Sequence, residues 1–361
     1  MVKIYVLSQR KLRRDPAIGC LIEFEDVLLQ SCAATLLIPT WRHNPGPAWL
    51  HRLRTPYRVD LPPRDVGVEE VLILTGMDWH ICKALLAIPD WRSRFDVVGA
   101  YIFDAFLPQA PRHRSVSRFS RLVGSMDQVF LPMTGCVDQY QRAFEIPVNF
   151  LPYACDAMQF ASNRCDRPID VNGYGRQLAE HSRLLAKTYN HPRSPRMYYS
   201  TDHMCISEVY DFYSHRAWFW KLLQRSRLAL CYDPVVTNPE RFPFPFVPQR
   251  WFECLTAGCM VVGRRPACVE ADQLLDWEDS TLEVPDRLED LVPFIDDLLQ
   301  DRDRLHAAHH RNYAQVLSAH DWRYRIAQLL DRLGVPRPSS LERSLGDLRV
   351  AAHASAGSVA T

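Results

Sequence analysis

Apolar runs short enough for strands alternate along this chain with longer stretches whose apolar residues return every three or four positions. Residues 2–7 (VKIYVL), 35–39 (TLLIP), 70–76 (EVLILTG), 96–103 (DVVGAYIF), 127–131 and 148–151 read as strands. Helical spacing marks 21–34, a segment starting near Trp79, 114–123 and 135–144. Runs as continuous as 96–103 predict a parallel sheet covered on both faces. Residues 40–65, rich in proline and tryptophan, follow neither period.

A polar stretch, 156–167, reads as a linker, and a second series begins after it. Strands are expected at 169–174, 196–200, 228–232 and 260–262, with helices at 178–189, 214–225 and 248–257. Strands and helices taking turns predict an α/β fold of two Rossmann-like domains with an interdomain cleft where ligands bind. The expected boundaries are 1–155 and 156–335, with a disordered tail over 336–361 whose Ser, Ala and Pro leave little apolar surface. Residues 288–333 are helical in character, broken at His320–Trp322, so the terminal helix is expected to cross back and brace the first domain.

At 361 residues the chain suits two domains, and a net charge of +1 argues against a dedicated nucleic-acid binder. No apolar run approaches the roughly 20 residues that span a bilayer, and the N-terminus lacks a signal-peptide pattern. The 11 cysteines form no CxxC pair, which suits reduced thiols in a cytoplasm. His306 and His310 have metal-compatible spacing, but no third ligand is evident, so a solvated face and no metal are expected. Asp301-Arg302-Asp303 likewise reads as a solvated face. No GxGxxG follows either first strand, which argues against a nucleotide-dependent oxidoreductase.

The chemistry concentrates in PQRWFECLTAGCMVVGRRP, residues 248–266. Gly258 lets a helix end tightly and turn into a strand. Glu253 then sits near a helix C-terminus, where the helix dipole disfavours negative charge. Such an acid either accepts hydrogen bonds from the vicinal hydroxyls of a ribose or forms a structural bridge to Arg250, Arg264 or Arg265. Arg176, at the mouth of a strand, has the planar fork that matches diphosphate oxygens, with Arg265 and Arg250 as weaker candidates. In the first domain Asp78, His80 and Asp104 follow apolar strands. Asp78 also suits a helix cap, and Asp104 is the candidate acceptor contact or base. Arg10, Lys11, Arg13 and Arg14 suit an anionic or lipid-linked acceptor or a membrane surface, and equally a solvated loop.

RWFECLTAGCMVVGRRP resembles the C-terminal motif of the retaining GT-B glycosyltransferases, the group holding the sucrose-synthase-like and glycogen-synthase-like enzymes. The bacterial branch it is most similar to resembles the spore-coat maturation glycosyltransferases. LPYACDAMQF (151–160) and DVNGYGRQLAEH (170–181) resemble the interdomain signature and the first strand and turn of the donor domain.

The resemblance implies an N-terminal acceptor domain and a C-terminal nucleotide-sugar domain. It implies retaining, metal-independent transfer from a UDP- or GDP-sugar co-substrate, with no further cofactor. Glu253 would hold the ribose, and Gly258, Arg176, Arg250, Arg265 and His181 would face the donor. Asp104, His80, Asp78 and Arg10 would face an unidentified acceptor: a glycan, a lipid-linked sugar, a natural product or a protein. A cytoplasmic enzyme is expected, with peripheral contact to the inner membrane face as a further implication.

The sequence departs from the pattern at three places. No carboxylate occurs between Glu240 and Glu253, His181 replaces a lysine, and Phe103 replaces a histidine. These departures keep open a non-catalytic relative that binds a sugar nucleotide or a partner.

Overall fold

The computed structural model describes residues 2–41, 56–106, 121–144, 147–201 and 208–357. The chain forms two compact units, Met1–Pro152 with Arg323–Leu345, and Tyr153–Trp322 with Gly346–Thr361. Both units are therefore discontinuous in sequence. Most of the expected helix over 114–123 and much of the 40–65 connection lie outside the described residues; positions 121–123 are helical.

The strands of the first unit are β1 (Val2–Ser8), β2 (Thr35–Leu37), the short β3 (Thr40–Trp41) and β4 (Tyr57–Arg58), β5 (Glu69–Gly76), β6 (Val97–Ile102), β7 (Gln128–Leu131) and β8 (Val148–Phe150). Six of them form a parallel sheet in the order β2-β1-β5-β6-β7-β8, and β3 and β4 pair antiparallel. Val71, Leu72, Ile73 and Leu74 of β5 are all fully buried, so both faces of the sheet centre are covered. The helix Ile18–Cys32 buries Leu21, Phe24 and Leu28 at helical spacing.

The first unit is completed from the other end of the chain. The helix Trp322–Arg332 contributes the buried Ile326, Leu329 and Leu330, and Leu333 packs on Gly99 of β6. The expected disordered tail is a helix, Ser339–Gly357. Its Leu341, Leu345 and Leu348 are buried and return at intervals of four and three, one stripe of a helix. Average composition hid that stripe.

The second unit holds β9 (Ile169–Gly173), β10 (Tyr198–Ser200), β11 (Ser226–Tyr232), β12 (Met260–Arg264) and β13 (Leu282–Glu283). They form a parallel sheet in the order β10-β9-β11-β12-β13. Val171, Leu228, Leu230, Met260 and Val262 make its core with Leu291, Ile295 and Leu299 from the helix Leu291–Gln300. Each sheet reverses its strand order beside its first strand, between β1 and β5 and between β9 and β11. Open α/β sheets bind ligands just outside the carboxyl ends of the strands at such points.

One further expectation changes. The polar 156–167 stretch is not a free linker: it holds a short helix, Ala157–Phe160, and the buried Arg167. On the helix Phe212–Leu223, Trp220 is buried against Phe160, and Trp218 stands in solvent beside Lys221.

Candidate functional site

Glu253 lies on the helix Gln249–Thr256 and is only 5% exposed. Both carboxylate oxygens are engaged. The Tyr174 hydroxyl donates to Oε2 at 2.6 Å, and Nη1 of Arg216 meets Oε1 at 2.8 Å. Arg216 comes from the helix Phe212–Leu223, and its guanidinium also lies over the rings of Phe219 and Trp220. The sequence named Arg250, Arg264 and Arg265 as bridge partners, and the structure selects a fourth arginine instead. Burial pushes the Tyr174 phenol well up, so it remains a donor to the carboxylate.

Arg250 is half-buried. Its guanidinium covers the Tyr174 ring at 5.2 Å and donates to the carbonyl of Arg176. It lies against Gly175, where a Cβ would collide with it. Gly175 has φ +66 and its N–H donates to Thr201 Oγ1 at 2.8 Å, which fixes the turn after β9. Arg250 thus meets an aromatic face and a carbonyl rather than a carboxylate, and its charge remains to attract an anion. Arg176 is exposed, with its guanidinium 4.8 Å from the Phe242 ring centre.

The remaining expected donor residues stand apart from that cluster in their bonding. Arg265 pairs with Asp272 at 2.8 Å, and its N–H donates to Glu283. His181 is buried, its Nδ1 2.9 Å from the Tyr232 hydroxyl, and burial pushes its pKa down. Gly258 has φ +78 and follows the C-cap of the Glu253 helix. A Cβ there would strike the carbonyl of Ser162, so the position requires glycine.

Arg167 seals that end of the helix. It donates to the carbonyls of Arg164 (2.8 Å), Ser226 (2.9 Å), Ala257 (2.9 Å) and Ser162 (3.2 Å). Burial pulls its guanidinium down from the usual arginine range, and these four acceptors compensate for lost hydration. Sequence reading missed Arg167 because its acceptors are main-chain atoms, which leave no trace in residue types.

In the first unit a second polar cluster gathers at the carboxyl ends of β1, β5 and β6. Gln9 donates to Asp78 at 2.8 Å and accepts from the Met77 N–H at 2.7 Å. Asp78 also accepts from the His80 N–H and pairs with Arg13 at 2.6 Å. It therefore shapes the turn ahead of the short helix Ile81–Leu85, but His80 holds that helix's N-cap position and no side chain caps it, so the expected Asp78 cap does not form. His80 and Asp104 are exposed, and the Asp104 N–H donates to the Met77 carbonyl at 2.7 Å.

Arg10 does not face outward. It pairs with Glu25 at 2.7 Å and Asp26 at 2.9 Å, both on the helix Ile18–Cys32. Glu25 is fully buried and also accepts from Ser8 at 2.8 Å and from Thr75. Burial raises its carboxyl, opposed by Arg10 and the two hydroxyls. Two of the four basic side chains expected to attract an acceptor or a membrane, Arg10 and Arg13, are thus paired with carboxylates.

The sequence left His306 and His310 without a third ligand. The structure supplies Cys165, whose Sγ is 3.1 Å from His306 Nε2.

Two Rossmann-like parallel sheets with these sites at their carboxyl edges are the architecture of the GT-B glycosyltransferase fold. Residues 199–331, which carry Arg216, Arg250 and Glu253, match a family model described as glycosyl transferase-like. The fold is similar to that of Anabaena HepE in complex with UDP-glucose, with a TM-score of 0.56 and 12% identity over 92% of this chain and 99% of that one. HepE in complex with UDP and glucose aligns over the same shares with a TM-score of 0.53 and 12% identity. A glycosyltransferase from Rickettsia africae covers 91% of this chain and 97% of its own, at 8% identity and a TM-score of 0.46. No curated protein matches the chain in sequence. Among the described residues, no helix is long and apolar enough to cross a membrane.

Proposed function

We propose that this chain transfers a sugar from a nucleotide-sugar donor to an acceptor, with the donor held by the second unit. The observation that carries this reading is the Arg250 guanidinium. It lies on the turn after β9, beside the buried Glu253, at the strand-order reversal of a parallel sheet and within the glycosyl transferase-like segment. A diphosphate bound there would meet Arg250 and the exposed Arg176, and the Arg216–Glu253–Tyr174 triad would border the ribose. Glu253 already has a partner on each oxygen, so a ribose hydroxyl would add to them through the remaining lone pairs or displace Tyr174.

Cationic stabilisation of the leaving diphosphate would then drive a retaining transfer without an obligatory metal. The first unit would take the acceptor, with Asp104 and His80 as its exposed polar groups. A cytoplasmic reaction on a soluble or lipid-linked acceptor follows from this reading. Hexose donors carrying UDP are the first to test, because HepE was solved with UDP-glucose.

Titration calorimetry with UDP, GDP and their sugars should reveal one preferred nucleotide. Labelled transfer without added divalent cation, with NMR of the product anomer, then tests retention. Absence of nucleotide binding would overturn the proposal. Binding with neither hydrolysis nor transfer would establish the non-catalytic alternative, which the fully engaged Glu253 favours.

A further inference from the structure

We propose that Cys165, His306 and His310 form a three-ligand binding site for a borderline-soft divalent transition ion, zinc above all. The site is separate from the chemistry proposed above. His306 and His310 lie one turn apart on the helix Arg302–Ala319, so their rings project from the same face. Their Nε2 atoms are 3.3 Å apart, and Cys165 Sγ is 3.1 Å from that of His306. The three ligand atoms all lie within 4.8 Å of one another.

Tetrahedral zinc, with bonds of about 2.0–2.1 Å to nitrogen and about 2.3 Å to sulfur, sets its ligand atoms roughly 3.3–3.6 Å apart. The 3.3 Å between the two nitrogens matches that geometry, and the 3.1 Å from Cys165 Sγ to His306 Nε2 is a few tenths of an ångström short of it. Thiolate with imidazole is also the donor set that zinc, cobalt and nickel share and that magnesium and calcium refuse.

The position of Cys165 supports a built site. Its loop is not loose: the Ser162 N–H donates to the Thr256 carbonyl at 3.1 Å, and Arg167 binds the carbonyls of Ser162 and Arg164. The thiol is therefore held over the histidines by the same anchors that close the Glu253 helix. Cys165 and His306 are exposed and His310 half-buried, so an ion can enter from solvent and the fourth coordination position stays open to water. On binding, the Cys165 thiol would release its proton to solvent as the sulfur–metal bond forms, and both imidazoles would bind as neutral rings. The ion would clasp the 161–168 loop to the helix Arg302–Ala319.

The test uses the untagged full chain, stripped with chelator and titrated with cobalt(II). The expected result is one equivalent bound, with a thiolate-to-cobalt charge-transfer band in the near-ultraviolet and intense visible bands of four-coordinate cobalt. Cys165→Ser should abolish the charge-transfer band. His306→Ala and His310→Ala should each weaken cobalt affinity by about tenfold or more, at least the loss seen when an outer partner of a ligand is removed. Zinc should raise the melting temperature of the wild type and leave that of Cys165→Ser unmoved. Cobalt binding with equal affinity and an unchanged spectrum in Cys165→Ser would overturn the site, as would failure of the stripped protein to bind cobalt. Serine is nearly isosteric at an exposed position, so this variant decides the question even if a histidine variant fails to fold.

Discussion

Two acids in this molecule look alike in sequence and differ in use. Glu25, in LIEFEDVLL, and Glu253, in RWFECLTAG, each interrupt an apolar helix and are each buried beside one arginine and a neighbouring hydroxyl. Glu25 is wholly enclosed, and its partners Ser8, Arg10 and Thr75 tie the ends of β1 and β5 to the helix Ile18–Cys32. Glu253 keeps a small exposure and neighbours an arginine, Arg250, that meets a ring and a carbonyl. A buried carboxylate in an apolar helix therefore marks a polar knot. Only the spare charge around it distinguishes a lock from a binding place.

Removing each acid is the strongest way to test that distinction. Glu25→Ala should destabilise the protein by about 3–5 kcal/mol, because it breaks the ion pair with Arg10 and leaves the buried Ser8 and Thr75 hydroxyls without this acceptor. Denaturant unfolding measures it, and nucleotide affinity of the folded fraction should not change. Glu253→Ala should cost about 2–4 kcal/mol by breaking the buried pair with Arg216 and the Tyr174 hydrogen bond. It should also weaken nucleotide binding by about tenfold or more, the equivalent of one charge-assisted hydrogen bond. If both variants lose stability and neither loses affinity, Glu253 is a lock like Glu25.

Arg250→Ala should reverse the balance: about tenfold weaker nucleotide binding by calorimetry, with stability changed by about 1 kcal/mol or less. In the first unit, Asp78→Asn breaks a pair whose side chains are each 33% exposed, and should cost below about 1 kcal/mol in the same unfolding assay.

The smallest effect is a pH slope. Burial lowers the His181 pKa, so below about pH 6.5 the unfolded chain takes up a proton that the folded chain resists. Stability should fall as pH drops through that range, and His181→Gln should flatten the slope seen in unfolding midpoints.

Much of the scaffold was legible because parallel strands buried on both faces are written as unbroken apolar runs. Residues 2–7, 70–76 and 96–103 were expected as strands, and β1, β5 and β6 occupy them. The tail was misread because three leucines in a Ser- and Ala-rich segment carry its burial, and an average dilutes them. At the site, Glu253 and Arg250 were named and both meet Tyr174, while Arg176 joins them through its main-chain carbonyl and its guanidinium lies by Phe242. Arg216 was not named: 37 positions from Glu253, it reaches that acid only through tertiary packing. Cys165 was missed for the same reason, since 141 positions separate it from His306.

Because the first unit borrows Arg323–Leu345, its assembly on a ribosome must wait for nearly the whole chain. Domains usually fold as they emerge, N-terminal first. Here β6 would leave the exit tunnel with Gly99 bare, and Leu333 arrives 234 residues later to cover it. The contiguous Tyr153–Trp322 segment, which makes up most of the second unit, can finish ahead of the part synthesised before it. A released chain truncated after Trp322 should thus resist protease in its later half and yield in its earlier one.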